Sequence, residues 1–293
     1  MHRLLLPLIL ATGTGTACAE QPFIEHQAGT LPLVLAAPHG GTLRPGELPN
    51  RSFGRVAQDT YTAEIVLALA AALEVKTGHR PHVILCRLHR TKVDCNREIK
   101  EAAQGNPGAE AAWNEFHNAC NTACETVTRE QGCGLFLDIH GHRHEDQRVE
   151  LGYLLTARQL ELSNTALDGD ALNGEKSSIR ELITRSGRNL SALVRGPNSL
   201  GSLLEARSIL CVPSPTKPAP TPGADYFSGA YDVQAHGSRD GGTISAIQLE
   251  CPWKGVRDTP DNQRAFVAAL ADSLIQYFPA VFKMPLAPQK RQN

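Results

Sequence analysis

Polar side chains that could do chemistry stand at three places where an apolar segment ends. His39 follows residues 33–37, His140 follows residues 134–139, and Glu250 closes the alternating segment 244–249. In open α/β sheets the carboxyl ends of parallel strands share one edge, and ligands bind there. Two imidazoles and a carboxylate are the ligand set of a catalytic zinc, which keeps a fourth position open. The three positions therefore predict a metal centre at one edge of a sheet.

Each of these residues also has a simpler interpretation. His39 lies in Pro38-His39-Gly40-Gly41 and could be a surface histidine in a turn, although glycines let a backbone approach a ligand. His140 could be a satisfied polar strand end, although His142 and His144 share its parity in an extended chain. Glu250 is either a solvated carboxylate or a general base that takes a proton from water and passes it to the leaving amine.

Two further motifs supply candidate ligands and substrate contacts. Asp59 stands where a helix is predicted to begin, so it is either an N-cap or a metal ligand, and Glu64 is the other carboxylate candidate. Asp94-x-Asn96-Arg97 is either a polar loop or part of the crevice. In the crevice, Arg97 would offer a fixed fork of donors to a substrate carboxylate or a developing oxyanion.

Strands and helices that could position these residues alternate along the chain. Short buried strands are predicted over 33–37, 81–88, 134–139 and 243–250. Helices are predicted from near Asp59 to Thr77 with Gly78 as the stop, and over 109–130, part of 175–195 and 261–277. Such alternation is typical of an α/β fold with a largely parallel sheet.

Length and charge limit the classes of protein that fit. The chain has 293 residues, is 41% hydrophobic and carries a formal net charge of −1, which suits one α/β domain. This charge balance argues against a nucleic-acid partner. Neither a phosphate-binding P-loop motif nor a G-x-S-x-G nucleophile elbow occurs in the sequence.

The first residues have the character of an export signal. An apolar run over 4–11 is followed by small residues that end in Ala17-Cys18-Ala19, an A-x-A-like cleavage site. The run is too short to span a bilayer, so no transmembrane segment is expected. We expect a signal peptide over 1–19, a single domain over 20–283, a flexible tail over 284–293, and a periplasmic or secreted protein. A lipoprotein anchored at Cys18 is the alternative, but the residues before Cys18 make a poor lipidation site.

The ordered set of motifs resembles the N-formylglutamate amidohydrolase family over residues 30 to 275. That resemblance implies a mixed, mainly parallel sheet flanked by helices, like that of the zinc carboxypeptidases (phosphorylase/hydrolase-like), with one Zn²⁺ at the strand ends. The motifs are Pro38-His39-Gly40-Gly41, Asp59, Arg90, Asp94-x-Asn96-Arg97, Asp138-Ile139-His140-Gly141-His142, Tyr226-Phe227-Ser228-Gly229-Ala230-Tyr231, His236-Gly237 and Gln248-Leu249-Glu250.

The resemblance also implies roles for individual residues. His39 and His140 match zinc ligands, Glu250 matches the catalytic glutamate, and Asn96-Arg97 matches the pair that holds a substrate carboxylate. One departure is that zinc carboxypeptidases have a glutamate three residues after the first histidine, where this chain has Thr42. We therefore take Asp59 as the carboxylate ligand, and expect Tyr231 and His236 to line the pocket or to steady the tetrahedral intermediate.

These observations together predict a zinc-dependent hydrolase. Its substrate would be an N-acyl amino acid, N-formyl among the options, or a small peptide that bears a carboxylate. Export fits poorly with a cytoplasmic role in histidine degradation, so a carboxypeptidase-like peptidase or a cell-wall amidase is the first alternative. The second is a secreted binding protein whose metal is structural, in a closed site with four protein ligands.

Overall fold

The structure, a computed structural model, describes residues 22–288. The expected signal peptide, residues 1–19, lies outside the described residues, as do residues 289–293 of the expected tail. Within the described part of that tail, Leu286 is buried against the core. All seven cysteines among the described residues are free thiols.

Seven strands in the described range form one mixed sheet. They are β1 (Ile24–Gln27), β2 (Leu33–Ala37), β3 (His82–Cys86), β4 (Gly134–His142), β5 (Val149–Gly152), β6 (Cys211–Val212) and β7 (Ile244–Pro252). Their order across the sheet is β1-β3-β2-β4-β7-β5-β6. The central strands β3, β2, β4 and β7 are parallel, whereas β1 and β5 run antiparallel to their neighbours β3 and β7. The predicted mixed, mainly parallel sheet is therefore confirmed.

Helices cover both faces of this sheet. They are α1 (Thr62–Thr77), α2 (Ile99–Ala103), α3 (Pro107–Gln131), α4 (Ala157–Leu160), α5 (Asn164–Gly169), α6 (Ala171–Glu175), α7 (Arg180–Ser186), α8 (Leu190–Arg195), α9 (Leu200–Glu205), α10 (Tyr231–His236) and α11 (Pro260–Tyr277). Wide helical turns follow β7 at Trp253–Arg257 and α11 at Phe278–Phe282.

Alternating side chains of the buried strands supply two hydrophobic cores. In β2, Leu33, Leu35 and Ala37 belong to the core beneath α1 and α11, and Val34 and Ala36 belong to the core beneath α3. Successive side chains of a strand point to opposite faces, so a strand buried on both faces is apolar throughout. That is why β2 could be read from sequence as a continuous apolar run.

The structure differs from the predicted elements at their edges. The helix expected from near Asp59 begins at Thr62, because Tyr61 adopts a left-handed backbone (φ 70°) before it. The strands β1, β5 and β6 were not predicted, since each has four residues or fewer and sits at or near an edge of the sheet. The helix predicted within 175–195 is in fact two helices, α7 and α8. They are separated by Gly187, which ends α7 with φ 66°.

One stretch of the described residues meets the length and hydropathy expected of a membrane span. It is Pro260–Phe282, which includes α11, and 61% of its most apolar window is buried inside the fold. Phe266, Leu270 and Leu274 of this helix belong to the core beneath the sheet. Its apolar character is therefore explained by packing.

Candidate metal centre

Three adjacent parallel strands bring the predicted polar residues together. His39 follows β2, while His140 in β4 and Glu250 in β7 are direct partners in the parallel register. The three side chains are almost fully buried, each with at most 5% of its surface exposed. Because β4 lies between β2 and β7, the carboxyl ends of these strands form one polar pocket in an otherwise apolar sheet.

Three acceptor atoms converge at this edge. The Nδ1 atoms of His39 and His140 are 3.1 Å apart, and Oδ2 of Asp59 lies 3.3 Å from the first and 3.2 Å from the second. A tetrahedral zinc with bonds of about 2.0–2.2 Å holds its ligand atoms about 3.4 Å apart. The triangle is therefore close to the size that one zinc ion requires.

The far nitrogen of each histidine is held by a buried aspartate. His39 donates from Nε2 to Oδ1 of Asp94 at 2.6 Å, and His140 donates from Nε2 to Oδ2 of Asp138 at 2.7 Å. A ring proton fixed on Nε2 leaves an unprotonated Nδ1 in neutral imidazole. Two lone pairs and a carboxylate oxygen then face one another in a buried site, an arrangement that a cation stabilises.

Electrostatics in the pocket favour a charged Asp59. Burial alone would raise the pKa of Asp59, but hydrogen bonds from His140 and His39, formed when each ring carries a second proton on Nδ1, outweigh it and hold the pKa well below its usual range. A cation in place of those protons would stabilise the same negative charge. The same carboxylate accepts a hydrogen bond from the backbone N–H of Gly141 at 3.2 Å. Asp59 does not cap α1, since the N-cap residue is Tyr61 and no side-chain cap is formed. Glu64, the other carboxylate candidate, is exposed on α1, and Thr42 is exposed as well.

Glu250 stands next to the three converging atoms without belonging to them. Its Oε1 accepts a hydrogen bond from Nε2 of Gln248 at 2.9 Å, and its Oε2 is buried with no hydrogen-bond partner among the described residues. Burial raises the pKa of Glu250 to about 8, although the charge of His140 opposes the rise. A buried carboxylate with one unpaired oxygen and a raised pKa can take up and release a proton near neutral pH.

A cleft of about 180 Å³ opens over these residues. Arg97 and Asn96 line it, and Oδ1 of Asn96 accepts a hydrogen bond from the backbone N–H of Asp232 at 2.8 Å. The full lining is His39, Arg55, Asp59, Arg90, Asn96, Arg97, His140, Gly141, Tyr226, Phe227, Ser228, Gly229, Ala230, Gln248 and Glu250.

Tyr231 and His236, expected to line the pocket, lie outside this cleft. Tyr231 is the first residue of α10, and His236 at its end is buried with Nε2 2.9 Å from Nδ1 of His117. The preceding residues 226–230 line the cleft instead. The motif thus borders the site, but the chain turns into α10 at Tyr231, which carries the later side chains away from the cleft.

Sequence reasoning did not assign two kinds of residue in this site. Asp94 and Asp138 belong to sequence motifs that do not indicate their role, which is to orient one histidine each. The parity of Asp138 with His140 was a usable signal, whereas Asp94 is 55 residues away from His39. Arg55 lines the cleft from an exposed loop, and nothing in its local sequence marks it.

Other histidine groups of the described residues are less suited to a metal. In the group His142, His144 and Glu150, both carboxylate oxygens already accept hydrogen bonds, one of them from Nδ1 of His144 at 2.7 Å. In the group that contains His117 and His236, the two rings bond to each other, and Nε2 of His117 donates to a backbone oxygen at 2.9 Å. The group of His39, Asp59 and His140 is the one whose three facing atoms are all acceptors.

Comparisons with known proteins establish the fold. Neither a family model nor a curated relative matches the sequence. The structure is similar to that of a gene product of Agrobacterium tumefaciens, with 12% identity, coverage of 90% of this chain and 98% of that chain, and a TM-score of 0.54. It is also similar to N-formylglutamate amidohydrolase from Ralstonia eutropha JMP134, with 13% identity, coverage of 89% and 97%, and a TM-score of 0.50. The chain therefore shares the fold of these two proteins, a mixed α/β sheet flanked by helices.

Proposed function

We propose that this protein is a metal-dependent hydrolase that cleaves the amide bond of an N-acyl amino acid or small peptide bearing a carboxylate. The observation that carries the proposal is the triangle of His39 Nδ1, His140 Nδ1 and Asp59 Oδ2, with atoms 3.1–3.3 Å apart and Glu250 beside it. Two imidazoles and one carboxylate leave a fourth position open, which distinguishes a catalytic from a structural zinc site.

His39, His140 and Asp59 would hold a divalent ion, which we propose to be Zn²⁺ and which would lower the pKa of water and polarise a carbonyl. The protein then has to move one proton. Glu250 accepts it at the unpaired Oε2 as water oxygen bonds to the amide carbon, and donates it to the nitrogen as the carbon–nitrogen bond breaks. Gln248 holds the other oxygen of the carboxylate throughout.

Cationic side chains of the cleft would orient the substrate. Arg97 is half-buried, donates from Nη1 to the backbone oxygen of Asn96 at 2.7 Å, pairs its Nε with Oε1 of Glu101 at 3.6 Å and lines the cleft. Arg90 is more constrained, because its Nε donates to Asp94 at 2.9 Å. We assign the substrate carboxylate to Arg97, with Asn96 beside it.

Metal content of the purified protein is the first test. We expect about one zinc per chain by elemental analysis, lost in His140→Ala and retained in His79→Ala, since His79 is exposed. Absence of zinc from the wild type after reconstitution would contradict the proposal and favour a binding role.

Activity assays then separate the enzyme alternatives. We expect release of free amine from N-acyl amino acids by the zinc-loaded protein, with N-formyl and longer acyl groups compared at equal concentration. Activity confined to peptides with a free C-terminus would assign the site to a carboxypeptidase-like enzyme. Activity confined to peptidoglycan fragments would assign it to a cell-wall amidase.

We also propose that the protein is exported, on the basis of residues 1–19 alone. The expectation is that the mature chain begins at Glu20 and is found outside the cytoplasm. N-terminal sequencing of the mature protein and cell fractionation test this. An uncleaved cytoplasmic chain would contradict it.

A further inference from the structure

A second compartment adjoins the cleft on the side away from Arg97. It has a volume of about 380 Å³, about twice that of the first. Both compartments are lined by Arg55, Asp59, Arg90, Gly141, Tyr226 and Phe227. Because Asp59 lines both compartments, they meet at the proposed metal ligands. A substrate that extends through both compartments can therefore lie on both sides of these ligands.

The second compartment is cationic. Four arginines and two carboxylates line it, and two of the arginines already donate hydrogen bonds to other parts of the protein. Arg257 is buried and donates to the backbone oxygens of Cys251, Thr60 and His142 at 2.8–3.0 Å. Arg90 bonds to Asp94. These two guanidinium groups therefore serve mainly to hold the wall.

The guanidinium N–H groups of the other two, Arg55 and Arg143, have no hydrogen-bond acceptor among the described residues. Within residues 22–288 neither side chain has a hydrogen bond or a carboxylate within 4.0 Å, although Asp225 lines the same compartment. Arg55 lies over the ring of Phe227 at 5.0 Å, and Arg143 lies over Trp253 at 4.6 Å. Stacking on an aromatic face holds a guanidinium in place and leaves its in-plane N–H groups free.

A free, oriented guanidinium is suited to bidentate recognition of a carboxylate. Arg97 lines only the first compartment, and Arg143 lines only the second. The two arginines therefore lie on opposite sides of the ligand triangle. We propose that the second compartment is an anion subsite, so that the substrate is an amide with a carboxylate on each side of the scissile bond. Its acyl part is then a short dicarboxylic acyl group. This inference rests on the proposed function and assigns the acyl specificity of the same site.

Binding to a variant that cannot turn over tests the subsite separately from catalysis. The ligands are N-succinyl-, N-glutaryl- and N-adipoyl-L-alanine, each paired with an N-acyl-L-alanine of equal acyl chain length whose acyl group is uncharged. Calorimetric titration into zinc-loaded Glu250→Gln is expected to show at least one charged ligand binding about tenfold or more tightly than its uncharged partner. Arg143→Gln and Arg55→Gln, each added to that variant, should remove most of this preference. Arg158→Gln, an exposed arginine outside both compartments, should leave it unchanged.

The outcomes distinguish the two proposals. Equal affinities for every charged and uncharged pair would overturn the subsite, as would a preference that survives both arginine substitutions. A preference that depends on Arg55 and Arg143, with no hydrolysis by the wild-type enzyme of these amides or of the N-acyl amino acids and peptides assayed above, would support the subsite and overturn the proposed hydrolase.

Discussion

Asp94 and Asp138 determine which nitrogen of each histidine faces the proposed metal site. Both are fully buried, and each accepts the Nε2 proton of one ring at 2.6–2.7 Å. Such partners fix the tautomer and ring orientation of a ligating histidine. Asp94 also accepts from Nε of Arg90 at 2.9 Å, so one carboxylate joins the ligand shell to the cationic wall of the cleft.

Asp94→Asn should weaken metal binding without removing a ligand. An amide can donate to Nε2, which favours the tautomer with its proton on Nδ1, where the metal should bind. We expect a loss of about 10- to 100-fold in zinc affinity, measured by competition with a chromogenic chelator. Asp146→Asn, on a loop outside both compartments, is the matched control. Equal affinities for Asp94→Asn and the wild type would refute the orienting role.

Glu250→Gln should separate catalysis from metal binding. The substitution preserves size but removes the proton acceptor at Oε2, so we expect turnover to fall by about 10²-fold or more while zinc content stays near one per chain. Steady-state rates and elemental analysis on the same preparation measure both. Unchanged turnover would show that another group moves the proton.

The sequence predicted the residues at strand ends better than those that depend on tertiary contacts. His39, His140 and Glu250 could be inferred because buried strands are recognisable and parallel strands end at one edge. Asp59 could be chosen only through the family resemblance, since a helix N-cap and a metal ligand call for the same residue type. Arg55 reaches the cleft from an exposed loop whose path only the fold defines.

At the scale of elements, residues 226–230 form a wall of the cleft by lying against β5. Phe227 donates its backbone N–H to Glu150 at 2.7 Å, Tyr226 donates its hydroxyl to the backbone oxygen of Leu151 at 2.8 Å, and the N–H of Leu154 donates to the oxygen of Ser228 at 2.6 Å. These bonds fix the wall to a short strand that the sequence did not predict. The placement of Tyr231 and His236 outside the cleft follows from the same arrangement.

Gly152→Ala should displace this wall. An added Cβ would lie 2.6 Å from the backbone nitrogen of Gly229 and 2.8 Å from the carbonyl carbon of Ser228, both in the main chain. We expect weaker substrate binding, seen as a several-fold higher KM, and a lower Tm, since backbone must shift. Gly169→Ala, in α5 with open space around it, is the control and should leave KM unchanged. A normal KM for Gly152→Ala would mean that the wall does not contact the substrate.

At the scale of the whole molecule, the sheet carries buried histidines in places unrelated to the cleft. His82 at the start of β3 is 3% exposed, and its Nδ1 accepts the backbone N–H of Gly29 at 3.3 Å. Burial lowers the pKa of His82 to about 4, with the charge of His26 adding to the effect and Glu130 opposing it. The folded protein therefore keeps this imidazole neutral at pH values where the unfolded chain takes up a proton.

Protonation of His82 should make stability depend on pH. Between about pH 6.5, the pKa of an unfolded-chain histidine, and about 4, the unfolded state binds more protons, so the free energy of unfolding falls as the pH falls. With allowance for solvent screening, this group contributes about 2 kcal/mol of that loss at most. His82→Gln keeps an acceptor for Gly29 and should reduce the difference in unfolding free energy between pH 7 and pH 5. His79→Gln, an exposed histidine on the loop before β3, should leave that difference unchanged in urea denaturation. If the two variants showed the same pH dependence as the wild type, the acid sensitivity of the fold would have to arise from other buried groups.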